Sequence, residues 1–211
     1  MSRARQLLHR LARNRVGASA AEFSLVLPLL LILLFGIVDG GRFLWETNLA
    51  EKATQEGVRM AVVTNVLAPG LVSENYTGQT VNGTTIKVGD LIPAGALGVI
   101  QCTSAGCTCK TTPCPSSLGM MDSSMFGLLV TRMTAIDPNI TAANVVVSYS
   151  GSGLGTAGDG GATTMDISPF VTVNVQNLKF VPITSLVFVT LNLPSFSSTL
   201  TAEDASGTYS E

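Results

Sequence analysis

RVGASAAEFSLVLPLLLILLFGIVDGGRFLW, Arg15 to Trp45, decides the fold. Its central run, Phe23 to Val38, carries no charged side chain and is dominated by Leu, Ile, Val and Phe. A bilayer needs about 20 such residues in a helix. The small residues Ala18–Ala21 before the run, and Gly40 to Trp45 after it, supply the missing length. The stretch therefore predicts a membrane-spanning helix, with Arg42, Phe43 and Trp45 at the far interface, where amphipathic side chains gather. Glu22 stands directly before the run and poses the question of why a carboxylate is placed there.

The charges around the run set its orientation. Arg3, Arg5, Arg10, Arg13 and Arg15 all precede Gly17, and no acid accompanies them. By the positive-inside rule the N-terminus stays in the cytoplasm and everything after Trp45 is exported. A cleaved secretory signal shares the basic-then-apolar order. However, the run ends in Asp39-Gly-Gly-Arg-Phe-Leu-Trp45, with no small-x-small site and no lipoprotein cysteine. The rest of the chain holds seven basic residues against all 14 acids. A polyanionic region is a poor partner for nucleic acid, which is bound through Lys and Arg on phosphates. Charged residues make up only 12% of the 211, and mean hydropathy is +0.42, which argues against disorder.

Helical spacing continues past the membrane. Trp45, Leu49, Ala53 and Gly57 recur every four residues, followed by Met60 or Ala61. Lys52–Glu56 and Glu56–Arg59 are spaced for helix ion pairs, each contributing only tenths of a kcal/mol. Asn65 and Pro69-Gly70 end the pattern. One helix from about Ser19 to Thr64 follows, roughly 70 Å long at 1.5 Å per residue, with its second half beyond the bilayer. Pro28 lies inside it, which a membrane helix tolerates.

The remainder reads as a small α+β domain. Gln79–Val88 carries Asn82-Gly83 between β-prone flanks, a hairpin signal. Met121, Met125, Leu128, Leu129, Met133 and Ile136 predict a helix over Ser117–Ile136, stopped by Asp137-Pro138. Ala143–Ser150 and Phe170–Phe180 read as strands, the latter with Val171, Val173 and Val175 on one face. Ser197–Asp204 is the last strand. Ser150–Thr164 is a glycine-rich connection without the Lys-Ser/Thr ending of a phosphate loop. Ile183–Leu193 is apolar and reads equally as a strand or as a segment lying against helix or membrane. The predicted organisation is residues 1–17 as a basic cytoplasmic leader, 18–64 as the helix, 65–116 as a hairpin and cysteine segment, and 117–211 as the C-terminal α+β region.

Catalytic equipment is sparse. The single histidine is His9, so no Ser-His or Cys-His relay is available downstream. Chemistry by carboxylates alone is the remaining enzymatic option. No cofactor is called for. Cys102, Cys107, Cys109 and Cys114 form C-x4-C-x-C-x4-C. A structural metal site and two local disulfides compete. The spacing lacks paired C-x2-C knuckles, and an oxidising compartment with an even count favours disulfides. Three pairings are open. Direct Cys107–Cys109 is the least favoured, because one intervening residue strains the bridge. The expected role is to staple a Ser/Thr/Pro-rich loop.

Five arginines, Gly17, Ala-Ser-Ala-Ala, Glu22 and Phe23 before an apolar run resemble the class III signal of type IV pilin-like proteins. That resemblance implies cleavage by a membrane prepilin peptidase between Gly17 and Ala18, with Glu22 and Phe23 completing the signal. Gly17 offers no side chain to obstruct the bond. The cut creates an ammonium at Ala18, which Glu22, one turn along or on a neighbouring helix, can pair with; an unpaired charge there is costly. The wider stretch Gly17–Val63 is similar to the TadE-like minor pilins (pseudopilins) of tight-adherence (Flp) pilus systems. The matching residues are Gly17, Glu22, Phe23, Leu27, Pro28, Gly36, Ile37, Asp39, Gly41, Arg42, Glu56, Gly57 and Arg59. Val58 stands where the family often has Ala. Looser likeness extends over Ile136–Asp204, and the 65–116 segment is larger than the simplest members carry. The resemblance implies a non-enzymatic minor pilin in the bacterial inner membrane, its C-terminal domain periplasmic. Its expected partners are the prepilin peptidase, other minor pilins and the major pilin, the inner-membrane assembly platform and the lipid bilayer. The competing reading is an uncleaved, single-pass anchored periplasmic binding protein.

Overall fold

The computed structural model describes residues 16–158, 165–186 and 190–202. Most of the basic leader, the second half of the glycine-rich connection and the acidic end of the last predicted strand lie outside them. The protein is α+β, as its sequence predicts: one long apolar helix, then a small antiparallel sheet domain with a further helix. It divides into two compact units. One comprises Met1–Trp45 with Phe180–Leu191; the other comprises Glu46–Lys179 with Asn192–Glu211.

Helix α1 runs unbroken over Val16–Val63, through Pro28. Pro28 cannot donate to the Ser24 carbonyl. Ser24 also donates its hydroxyl to the Ala21 carbonyl at 2.8 Å. In the first unit the apolar side chains of α1 face outward: Phe23 is 64% exposed and Ile37 70%. The most apolar window of the helix has no part buried within the protein, and its length and composition are compatible with single-pass anchoring. The same unit contains the 3-10 turn Ile183–Leu186. Of the Ile183–Leu193 segment, which read equally as strand or as helix- or membrane-facing, Ile183–Leu186 forms this turn and Leu191–Asn192 a short strand, while residues 187–189 lie outside the described residues.

The second unit is built on a five-stranded antiparallel sheet. Its strands are β3 (Val99–Thr103), β4 (Gly106–Thr111), β5 (Val145–Ser150), β6 (Phe170–Val175) and β9 (Phe196–Thr201), in the order β4-β3-β5-β6-β9. Val171, Val173 and Val175 fall on one face and are fully buried, as their alternation predicts. Ile100, Cys102, Val145, Val147 and Tyr149 are buried with them. The later turns of α1 contribute Ala50, Ala53, Val58 and Ala61, and helix α3 (Ser123–Thr134) contributes Met125, Phe126, Leu129 and Met133. Gly57 lets α3 approach closely: a Cβ there would meet the Met133 sulfur at 2.7 Å. Glu56 pairs with Arg132 of α3 through two bonds of 2.8 and 3.1 Å; the sequence pairs it with Lys52 and Arg59 instead.

Smaller elements complete the fold. The predicted hairpin is present as β1 (Thr80–Val81) and β2 (Thr84–Thr85). Both of its turn residues have positive φ, Asn82 at 51° and Gly83 at 79°, as a two-residue hairpin turn requires. A four-residue helix, α2 (Gly70–Ser73), follows α1, and β7 (Lys179–Phe180) pairs with β8 (Leu191–Asn192).

Three sequence expectations need correction. The second helix begins at Ser123 rather than Ser117. Asp122 caps it, its Oδ1 accepting from the backbone of Ser124 (3.1 Å) and Met125 (3.0 Å), so Met121 lies outside the periodic pattern that seemed to include it. The long strand Phe170–Phe180 stops at Val175, and Asn177, with φ 60°, separates it from β7. Three of the four cysteines lie on strands, Cys102 on β3 and Cys107 and Cys109 on β4, and only Cys114 lies in a loop. Val99, Ile100, Gln101 and Cys102 alternate half-buried and buried along β3, and β3 joins β5 in the central sheet.

Candidate functional site

Two groups of residues on α1 carry the functional interest. The first is the predicted processing segment. Gly17 and Glu22 lie on the first turns of α1, both exposed. A Cβ at Gly17 would meet nothing within 4 Å. Phe23 is exposed as well. Ala18 and Glu22 are four residues apart along α1.

The second group, centred on Asp39, was not foreseen. Asp39, at the end of the apolar run, is only 6% exposed. Its Oδ1 accepts from the Ile183 backbone N–H at 2.7 Å. Its Oδ2 accepts from the Thr184 backbone N–H at 3.0 Å and from the Thr184 hydroxyl at 2.8 Å. These are the orphan donors at the start of the 3-10 turn, which no carbonyl of that turn can satisfy. Asp39 therefore acts as the turn's N-cap, supplied from a helix 144 residues earlier in the chain. Arg42, one turn on, extends a guanidinium nitrogen to 3.4 Å from Asp39 Oδ1 and 3.5 Å from the Val181 carbonyl. Its guanidinium carbon lies 5.4 Å from the centre of the Phe180 ring, within cation–π range. Phe43 meets the same ring edge-to-face at 5.5 Å. Beside these contacts lies a largely apolar cavity of about 390 Å³, walled by Gly36, Gly40, Phe43, Phe180, Pro182 and Leu191.

The cysteines belong to the other unit. Disulfides join Cys102 to Cys107 and Cys109 to Cys114. Cys102 and Cys107 are direct cross-strand partners in the β3–β4 pair, so strand register selects that bridge among the three open pairings. Among the described residues, no group of three or more His, Cys, Asp or Glu could hold a metal ion. A polar hollow of about 380 Å³ lies between Glu51, Thr54 and Gln55 of α1 and Ser195–Ser198. Thr54 spends its hydroxyl on the Ala50 carbonyl (2.7 Å).

A long, exposed apolar helix followed by a small α+β domain is compatible with a single-pass membrane anchor. Residues 17–59 match the family model of the TadE-like proteins. No curated protein and no solved structure matches the chain. The match covers the stretch that carries the sequence resemblance, and it includes Asp39 and Arg42. The TadE-like family suggests a part in tight-adherence pilus assembly. Sequence reasoning took Asp39 as a family position without a role. The available signal was an acid at the end of an apolar run, three residues before an arginine, together with the absence of any charge between Lys179 and Glu203.

Proposed function

We propose that the protein is a minor pilin of a tight-adherence pilus, made as a precursor and cut by a prepilin peptidase between Gly17 and Ala18. The carrying observation is that the family-matching stretch 17–59 coincides with one unbroken helix, exposed along its apolar half, with Gly17 and Glu22 exposed at its beginning. In this reading α1 crosses the inner membrane with its N-terminus cytoplasmic and the sheet domain periplasmic. Cleavage leaves the helix in the bilayer and creates an ammonium at Ala18. Glu22, on the same helix or a neighbour, pairs with that ammonium and sets the register in which helices pack. The apolar surface of α1 then moves from lipid to the helices of other minor pilins and the major pilin at the assembly platform. The sheet domain contacts other pilus proteins, and the disulfides hold its edge in the oxidising compartment.

The test is mass mapping of the N-terminus of the protein purified from its native membranes. A terminus at Ala18 is expected. A terminus at Met1 or Ser2 overturns the processing step and leaves an anchored periplasmic binding protein.

A further inference from the structure

We infer that the turn segment Phe180–Leu186 is a second membrane-contacting element, seated among lipid acyl chains in the leaflet at the Trp45 end of α1. The inference rests on the reading that α1 spans the bilayer.

Depth is the first argument. Asp39 lies six residues before Trp45, about 9 Å deeper along the helix axis at 1.5 Å per residue. Tryptophan favours the headgroup level, so Asp39 falls below it, at the top of the hydrocarbon. The hydrogen bonds from Ile183 and Thr184, 2.7 to 3.0 Å long, fix the turn at the depth of Asp39.

Polarity is the second. Hydrocarbon excludes irregular backbone unless its polar groups are satisfied within the protein, and a carboxylate at that depth needs partners. Here each meets the other's need: the leading N–H groups of the turn are the donors that occupy both oxygens of Asp39. In water neither group would require the other.

The apolar surface is the third. No charge occurs between Lys179 and Glu203. Val181 and Ile183 are 54% and 50% exposed, and Leu191 52%, continuing the exposed apolar surface of α1. The cavity beside the turn has mainly apolar walls of glycine, phenylalanine, proline and leucine, with Asp39 and Thr184 as its polar side. A flexible acyl chain fits such a mainly apolar hollow, whose two polar lining residues, Asp39 and Thr184, already bond each other. Arg42, about 4.5 Å nearer Trp45 along the helix axis, keeps its guanidinium on Asp39 and the Val181 carbonyl.

The chain's single tryptophan allows a direct test. The full-length protein carrying Trp45→Phe and Ile183→Trp is reconstituted in vesicles of phosphatidylcholine and phosphatidylglycerol. Its fluorescence is quenched either by nitroxides near the glycerol end of the acyl chains or by aqueous iodide. A parallel protein, Trp45→Phe with Leu33→Trp, reports the helix itself. Severalfold quenching of the Ile183→Trp protein by the acyl nitroxide, with little effect of iodide, is expected. Iodide quenching of that protein, while the Leu33→Trp protein is quenched only from within the bilayer, overturns the inference and leaves the spanning helix intact. Shielding from both quenchers means that protein covers the turn, and this also overturns it. If the Leu33→Trp protein is open to iodide, the spanning helix and the inference fall together.

Discussion

Asp39→Ala tests the junction between α1 and the turn. The substitution leaves the Ile183 N–H, the Thr184 N–H and the Thr184 hydroxyl without their acceptor. A buried donor left unmade costs about 1–3 kcal/mol, and bonds to a carboxylate lie towards the upper end. Relief of the desolvation that Asp39 itself suffers offsets part of the loss. Taken together, local opening of the turn becomes easier by about 2–4 kcal/mol. At 1.4 kcal/mol per tenfold, this makes amide exchange at Ile183 and Thr184 roughly thirtyfold to several hundredfold faster. Hydrogen exchange with mass spectrometry on the detergent-solubilised protein reads this directly, with peptides from β5 and β6 as the unchanged control. Asp39→Asn keeps one acceptor oxygen and should fall between wild type and Asp39→Ala. Unaltered exchange at both amides in Asp39→Ala would refute the capping role.

Gly17→Leu should block processing, so the mature mass stays that of the uncut chain; a normal terminus at Ala18 would contradict the proposed site. Glu22→Ala should insert in the membrane yet assemble poorly, and normal pilus numbers in that strain would remove the charge-register idea. Tyr149 is buried, and its hydroxyl accepts from the Leu67 N–H at 3.0 Å; Tyr149→Phe should therefore cost about 1–3 kcal/mol of stability in urea unfolding. Asp122 has its carboxyl held below the usual carboxylate range, chiefly by the Ser124 hydroxyl and then by the Met125 N–H. A depressed folded-state value means that the cap stabilises above the unfolded value near pH 4 and fades as pH falls through the folded one. Asp122→Ala should thus cost about 1 kcal/mol at neutral pH, and that difference should close in acid; a constant difference across pH would show that the charge is not what caps α3.

The parts of the fold that were legible in the sequence are those with local causes. An unbroken apolar run followed by four-residue spacing places α1 within a few residues of its ends. Asn82-Gly83 announces its hairpin because few other residue pairs adopt two successive positive φ angles. Val171, Val173 and Val175 display the pleat directly. What was hidden depends on partners distant in sequence. The β3–β4 pair is rich in Thr and Cys and poor in large apolar side chains, so its strand character appears only when β5 lies beside it. Asp122 outweighed Met121 because a cap ends a helix more sharply than an apolar period extends one. Asp39 was legible as an unusual acid, but its donors come from a turn 144 residues later, and no local pattern points to them.

The two disulfide rings have a consequence for the timing of biogenesis. Each joins cysteines five residues apart. So short a ring removes little freedom from the unfolded chain, about 2 kcal/mol by the loop-entropy relation, against nearly 5 for a hundred-residue loop. Neither ring waits for a distant segment to arrive. In the proposed periplasmic placement, Cys102 to Cys114 can be oxidised as soon as that stretch is exported, before β5, β6 and β9 arrive to receive it. The first edge of the sheet is then a preformed template, and the later strands add to it in the order in which they are delivered.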